Sequence, residues 1–173
     1  MNTVIFDFDE TLVDTSVTQP LRKKQSKNWE EIYALIPKCR LYDGITELMV
    51  FLKNNNIKTG VATFAQREFA DRTLKHFNID IDVIVGYERF MKKKPNPDSI
   101  LKVMKKINAE ATETSGVGDK AIDIQAYKSA NLAFTVGCVW GLNADEEIQE
   151  LKNSNPDYII NHPSELIGII CNS

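Results

Sequence analysis

Residues 4–15 read VIFDFDETLVDT, and the fold turns on what this stretch is. Val4, Ile5 and Phe6 form a short β-branched and aromatic run, which predicts a buried strand of a parallel sheet. The run leads straight into Asp7 and Asp9, two carboxylates one residue apart, with Thr11 behind them. Side chains two apart on an extended backbone project to the same side, so both acids can address one ligand. Like charges held close repel, and the repulsion is relieved when one takes a proton or when a cation sits between them. A hard cation such as magnesium suits carboxylates and usually keeps waters and phosphate oxygens as its other ligands.

Outward from this strand, the apolar pattern alternates between two periods. Ile45, Leu48, Met49 and Leu52 follow Asp43-Gly44 at the i, i+3, i+4, i+7 spacing of an amphipathic helix, which ends at Asn54–Asn56. Ile57–Ala62 resumes as strand, and Phe69, Ala70, Leu74 and Phe77 make another helical face. Ile81–Gly86 returns to strand. Pro97 suits the first position of a helix capped by Asn96, with Ile100, Leu101, Met104 and Ile107 along it. Thr114–Gly118 reads as strand, residues 120–130 as helix and Leu132–Val136 as strand. A helix near 145–153, a strand at Tyr158–Ile160 and a last helix from Ser164 complete the series. This alternation predicts an α/β fold, a doubly wound three-layer sandwich around a mostly parallel central sheet. Ligands of such sheets bind beyond the carboxyl ends of the strands. Asp7, Asp9, Thr63 and Asp119 all follow predicted strands.

Residues 16–41 break the alternation and read as a small helical insertion. The expectation is one domain over residues 1–173, with its core in 1–15 and 42–173 and the insertion as a cap. Trp29, Ile32, Tyr33 and Ile36 share a helical face, while Arg22, Lys23, Lys24 and Lys27 form a basic patch. Either the helix packs on the core with its charges solvated, or it is a lid whose charge attracts an anionic substrate.

A net charge of −3 gives no reason to expect nucleic-acid binding by the chain as a whole. The apolar runs are too short to span a bilayer. The N-terminus has no basic region, and Asp7 interrupts its apolar run, which argues against a signal peptide. Cys39, Cys138 and Cys171 are widely spaced without a CxxC, so reduced thiols are expected in place of disulfides or zinc. The expected setting is the cytoplasm, away from membranes.

GVGDKAID (116–123) brings Asp119 to a strand-to-helix turn and Asp123 one helical turn further, facing the same way. A phosphate ligand accounts for the other polar residues. Thr63 can donate a hydroxyl to a phosphoryl oxygen, and Lys94 adds a point charge. If Asp7 attacks phosphorus, Lys94 and a cation must neutralise the developing charge. Asp9 would then protonate the leaving oxygen and later act as base toward water. Each residue also has a plainer reading. Asp119 can be a helix N-cap, Thr63 a turn residue, Lys94 the solvated end of a lysine run, and Asp123 a surface acid. The ordered combination is what points to one site.

Over nearly its whole length the chain resembles the haloacid dehalogenase superfamily of phosphatases. The family's four motifs correspond to DFDET (7–11), GVAT ending in Thr63, KPNPD opening with Lys94, and GDKAID (118–123). The resemblance implies a Rossmann-like fold and a magnesium-dependent phosphomonoester hydrolase working through a phospho-aspartyl intermediate. Asp7 would be the nucleophile and Asp9 the general acid/base, with Thr63 and Lys94 binding the phosphoryl group. Magnesium would be held by Asp7, the backbone carbonyl of Asp9 and Asp119, with Asp123 in support. The tail, TVGCVWG (135–141) and PDYIINHPSEL (156–166), looks like the phosphoglycolate-phosphatase-like branch.

Two departures bear on substrate. The insertion is shorter than that branch's cap, which leaves the site more open. Phe64 stands where relatives often place a polar residue, with Gln66 or Arg67 as compensating groups, while Glu10, where glycine is common, sits at a tolerated position and changes little. A small phosphorylated substrate is expected, with a larger one, including a nucleic-acid end, left open by the small cap. Two other classes compete: a catalytically silent binding module of the same fold, and a phospho-acceptor receiver domain. In receivers the acids are adjacent and Lys-Pro comes last, whereas Lys94 precedes Asp119.

Overall fold

Thr3–Phe6 forms the first strand, β1, with every residue buried. The computed structural model describes residues 1–172. After β1 come β2 (Val13–Asp14), α1 (Gln19–Arg22), α2 (Trp29–Ala34) and β3 (Arg40–Leu41). The alternating part begins with α3 (Ile45–Asn54), β4 (Lys58–Ala62), α4 (Arg67–His76), β5 (Val83–Val85) and α5 (Asp98–Ile107). It continues with β6 (Thr114–Gly118), α6 (Ala121–Ser129), β7 (Phe134–Cys138), α7 (Asp145–Asn153), β8 (Tyr158–Ile160) and α8 (Pro163–Cys171).

Six strands make one parallel sheet in the order β5-β4-β1-β6-β7-β8. The chain first builds outward from β1 through β4 to β5, then returns to the other side of β1 for β6. The order therefore reverses at β1, and the crevice at that reversal is where open α/β sheets bind ligands. Strand side chains alternate in direction, so β1 feeds both layers. Val4 and Phe6 pack with Leu48 and Leu52 of α3, Phe69 and Leu74 of α4, and Leu166 of α8. Ile5 packs on the opposite face with Ile100 and Val103 of α5, Ile124 and Tyr127 of α6, and Leu151 of α7. This is the doubly wound three-layer arrangement that the alternation predicts.

Three local differences have physical causes. Pro97 occupies the cap position and α5 starts at Asp98, while Asn96 Oδ1 accepts from the Asp98 amide at 3.1 Å. β7 starts and ends two residues later than the apolar run suggests, because parallel pairing with β6 extends it over Gly137, opposite Gly118. β2 and β3 pair antiparallel, Val13 with Leu41 and Asp14 with Arg40, closing the base of the insertion.

Within the insertion, Asn28 caps α2 by accepting from the Glu30 and Glu31 amides. Ile32 and Ile36 are buried in the same apolar cluster as β1, α3 and α4, with Trp29 and Tyr33 packed against it. Among the described residues no helix is long and apolar enough to cross a membrane.

Candidate active site

Parallel register places Phe6 beside both Val61 and Val117. Asp7, Thr63 and Asp119 are the next residues after β1, β4 and β6 respectively, so they collect at one sheet edge. The backbone keeps pairing there: the Asp7 amide donates to the Val117 carbonyl and the Thr63 amide to the Val85 carbonyl, both at 2.9 Å. Lys94 enters from the loop between β5 and α5. Its Nζ donates to Asp7 Oδ1 at 2.8 Å and to Asp123 Oδ1 at 2.6 Å. With 6% of its surface exposed, Lys94 is no solvated end of a lysine run.

Asp123 lies in the first turn of α6, where its Oδ2 accepts from the Lys120 amide at 3.1 Å. Lys120, not Asp119, holds the cap position, so the N-cap reading of Asp119 does not apply. A Cβ on Gly118 would fall 2.5 Å from the Asp123 Cβ. Bare backbone at that position lets α6 begin directly against the end of β6.

Asp7, Asp119 and Asp123 are all buried and offer oxygens within 4.8 Å of one another. Asp119 Oδ1 accepts from the Thr11 hydroxyl at 3.0 Å. Its Oδ2 is buried and accepts no hydrogen bond, with Lys120 Nζ as ion-pair neighbour at 3.3 Å. Burial pushes the Asp7 carboxyl up to about 8, opposed by Lys94 and reinforced by Asp123 and Asp119. Burial and then Asp123 push Asp119 up to about 6. Burial alone would lower Lys94, but Asp123 and Asp7 hold it well above its ordinary value, so it stays an ammonium. The Lys94 ammonium and the half-exposed Lys120 together fall short of three buried carboxylates in a site of low dielectric. Hard oxygen donors, one of them without a hydrogen bond, fit magnesium.

β1 ends at Phe6, and Asp9 lies beyond it, outside the cluster that Asp7 forms with Asp119 and Asp123. The Asp9 carboxylate is bound by Arg22, with Nη1 at 2.6 Å from Oδ1 and Nη2 at 2.8 Å from Oδ2. The Thr15 hydroxyl also donates to Oδ1. Arg22, read from sequence as one member of a basic patch, is thus held against a candidate site residue, a contact that sequence reasoning missed.

Thr63 Oγ1 accepts from the Ala65 amide at 3.0 Å, so the turn role is present. Its hydroxyl hydrogen is not used in that bond. The Phe64 ring is partly exposed, 5.9 Å from both Lys93 and Lys94 Nζ. Gln66 is taken up by the Tyr33 hydroxyl at 3.0 Å, and Arg67 opens α4. Glu10 adopts a positive φ of 61° and accepts from the Tyr42 hydroxyl at 2.8 Å. Trp140 Nε1 donates to the Thr11 carbonyl at 2.9 Å, a contact with no signal in the sequence.

A family model of haloacid dehalogenase-like hydrolases matches residues 16–136, which include Thr63, Lys94, Asp119 and Asp123. A protein described as a candidate pyrophosphatase PpaX, from Caldanaerobacter subterraneus subsp. tengcongensis, is 36% identical over 133 residues. That alignment takes in 76% of this chain and only 59% of the relative's length. Pyrophosphatase PpaX of Halalkalibacterium halodurans is 25% identical over 212 residues, 98% of this chain and 97% of the relative. Among solved structures, a hydrolase from Pseudomonas syringae superposes with a TM-score of 0.78 at 21% identity, covering 99% of each chain. A haloacid dehalogenase-like family protein from Streptococcus pneumoniae gives 0.75 at 18% identity over 98% of each. The two structural likenesses bear on the fold.

Proposed function

Because this chain belongs to the haloacid dehalogenase-like hydrolases, we propose that it is a magnesium-dependent phosphohydrolase with Asp7 as its nucleophile. The observation that carries this reading is the Lys94 ammonium shared by Asp7 and Asp123, with Asp119 beside them. Such a cluster is built to receive a doubly charged phosphoryl group together with a cation.

In this reading an Asp7 oxygen forms a bond to phosphorus as the bond from phosphorus to the leaving oxygen breaks. Asp9 gives a proton to that oxygen, while Lys94 and the Thr63 hydroxyl hold the phosphoryl oxygens. Water then attacks the aspartyl phosphate and Asp9 takes its proton, releasing inorganic phosphate and restoring the Asp7 carboxylate. Magnesium, held by Asp7, the Asp9 backbone carbonyl and Asp119 with Asp123 in support, would neutralise charge on the phosphoryl oxygens.

Residues 1–173 are taken as one domain and residues 16–41 as its reduced cap. Small phosphorylated compounds are the proposed substrates. Pyrophosphate leads the panel because two relatives are named pyrophosphatases. The purified protein should release phosphate from pyrophosphate or a small phosphomonoester with magnesium, and EDTA should abolish the release. Asp7→Asn should lose about 10³-fold or more in rate and form no acid-stable phosphoenzyme. A magnesium-loaded protein inactive across the panel, or an Asp7→Asn variant with wild-type turnover, sinks the proposal.

A further inference from the structure

Arg22 carries a charge to which the preceding mechanism gives no part. It ends α1 inside the insertion, yet its guanidinium turns inward onto both oxygens of Asp9. Nη1 also lies 3.2 Å from Thr15 Oγ1, and Cζ is 4.6 Å from the centre of the Phe69 ring. The two side chains are only 12% and 13% exposed, whereas Lys24 and Lys27 of the same basic run are exposed. A planar fork on both oxygens is the strongest way to hold a carboxylate. It also fills the positions through which Asp9 would pass a proton.

The next step rests on the reading of Asp9 as the acid for the leaving oxygen. A leaving group within reach of Asp9 is also beside Arg22. If Arg22 lets go of Asp9 with nothing to replace it, a mostly buried cation is left unpaired, which is costly. An anion on the leaving group removes that cost by taking the guanidinium over. We propose that Arg22 selects substrates whose leaving group is itself anionic, a phosphate or a carboxylate. Before substrate binds it latches Asp9, and it exchanges Asp9 for the leaving group's charge when the substrate arrives. Such a substrate frees the acid that its own cleavage requires, whereas a neutral leaving group leaves the latch closed.

The test compares kcat/KM for pyrophosphate, phosphoglycolate and phenyl phosphate in wild type, Arg22→Gln and Arg22→Lys. The ratio of a charged-leaving-group substrate to phenyl phosphate should fall about 10- to 100-fold in Arg22→Gln, the worth of a charge-assisted hydrogen-bonded pair. A fall confined to pyrophosphate identifies a phosphate as the natural group, and one confined to phosphoglycolate a carboxylate. Arg22→Lys keeps the charge without the fork, so its ratio should lie between the two, and it serves alone if Arg22→Gln does not fold. Equal losses on all three substrates, or unchanged ratios, overturn the assignment.

A second measurement needs no turnover. Binding of methylenediphosphonate with magnesium, an analogue whose carbon bridge cannot be hydrolysed, measured by calorimetry, should weaken about tenfold or more from wild type to Arg22→Gln. Arg22-dependent binding by a protein that turns nothing over would sink the hydrolase reading and leave the Arg22 assignment standing. Turnover with Arg22-independent binding would do the reverse.

Discussion

Lys94 is shared by Asp7 and Asp123, and Asp119 completes the group with one oxygen that accepts no hydrogen bond. This arrangement ties stability to pH with a definite sign. The folded protein raises Asp7 to about 8 and Asp119 to about 6, whereas both titrate near pH 4 when unfolded. The folded state therefore keeps protons that the unfolded state has already lost. Their contribution is fully present below about pH 4 and is lost as pH rises toward 8. In EDTA, the melting temperature of wild type relative to Asp7→Asn should fall between pH 5 and pH 8. At pH 8 the variant should melt about 2–8 °C above wild type, and magnesium should reverse the order. A wild type that gains on the variant as pH rises in EDTA would show that the acids are not desolvated as described. Little of this was legible residue by residue. Lys94 closes a run of three lysines, and nothing local separates a buried ammonium from a solvated one. Arg22 was hidden in the same way among Lys23, Lys24 and Lys27, because its distinction is the Asp9 that it meets in space.

At the scale of elements, the insertion is bound to the body of the protein. Ile32 and Ile36 share an apolar cluster with Val4, Leu48 and Phe69. The Tyr33 hydroxyl donates to Gln66, and the Arg72 guanidinium lies 4.2 Å from the Tyr33 ring centre. The Arg40–Asp14 pair at its base is worth little, since Arg40 is 80% exposed. Ile32→Ala should therefore cost about 2–4 kcal/mol within a single unfolding transition, read by urea melts at two probes. A separate early transition confined to the insertion would mean that it moves as an independent lid. Here the sequence was more informative. The spacing of Trp29, Ile32, Tyr33 and Ile36 shows which side of α2 packs, because burial leaves a period. β2 and β3 left no trace, since two-residue strands are too short to have one. The ends of β7 shifted for a related reason: Gly137 has low strand propensity of its own and is recruited by its neighbour β6.

For the whole molecule, alternation of strand and helix was enough to predict a parallel sheet with helices on both faces. It did not reveal the strand order, since alternation fixes direction but not the side of β1 on which each strand is added. The reversal at β1 is nevertheless what brings the strand ends together: it sets the ends of β4 and β6 on either side of Asp7. The site residues are consequently far apart along the chain. Lys94 and Asp7 are 87 positions apart, and Thr11 and Asp119 are 108 apart. Closing such long loops is entropically unfavourable until most of the chain has organised. On refolding from urea, helical circular dichroism should recover first, and magnesium-dependent protection from heat should recover only with the final phase. Simultaneous recovery of both would remove this ordering. In that order the full set of Asp7, Lys94, Asp119 and Asp123 would come together only when the sheet is complete, so a partly organised chain would lack the pocket that magnesium needs.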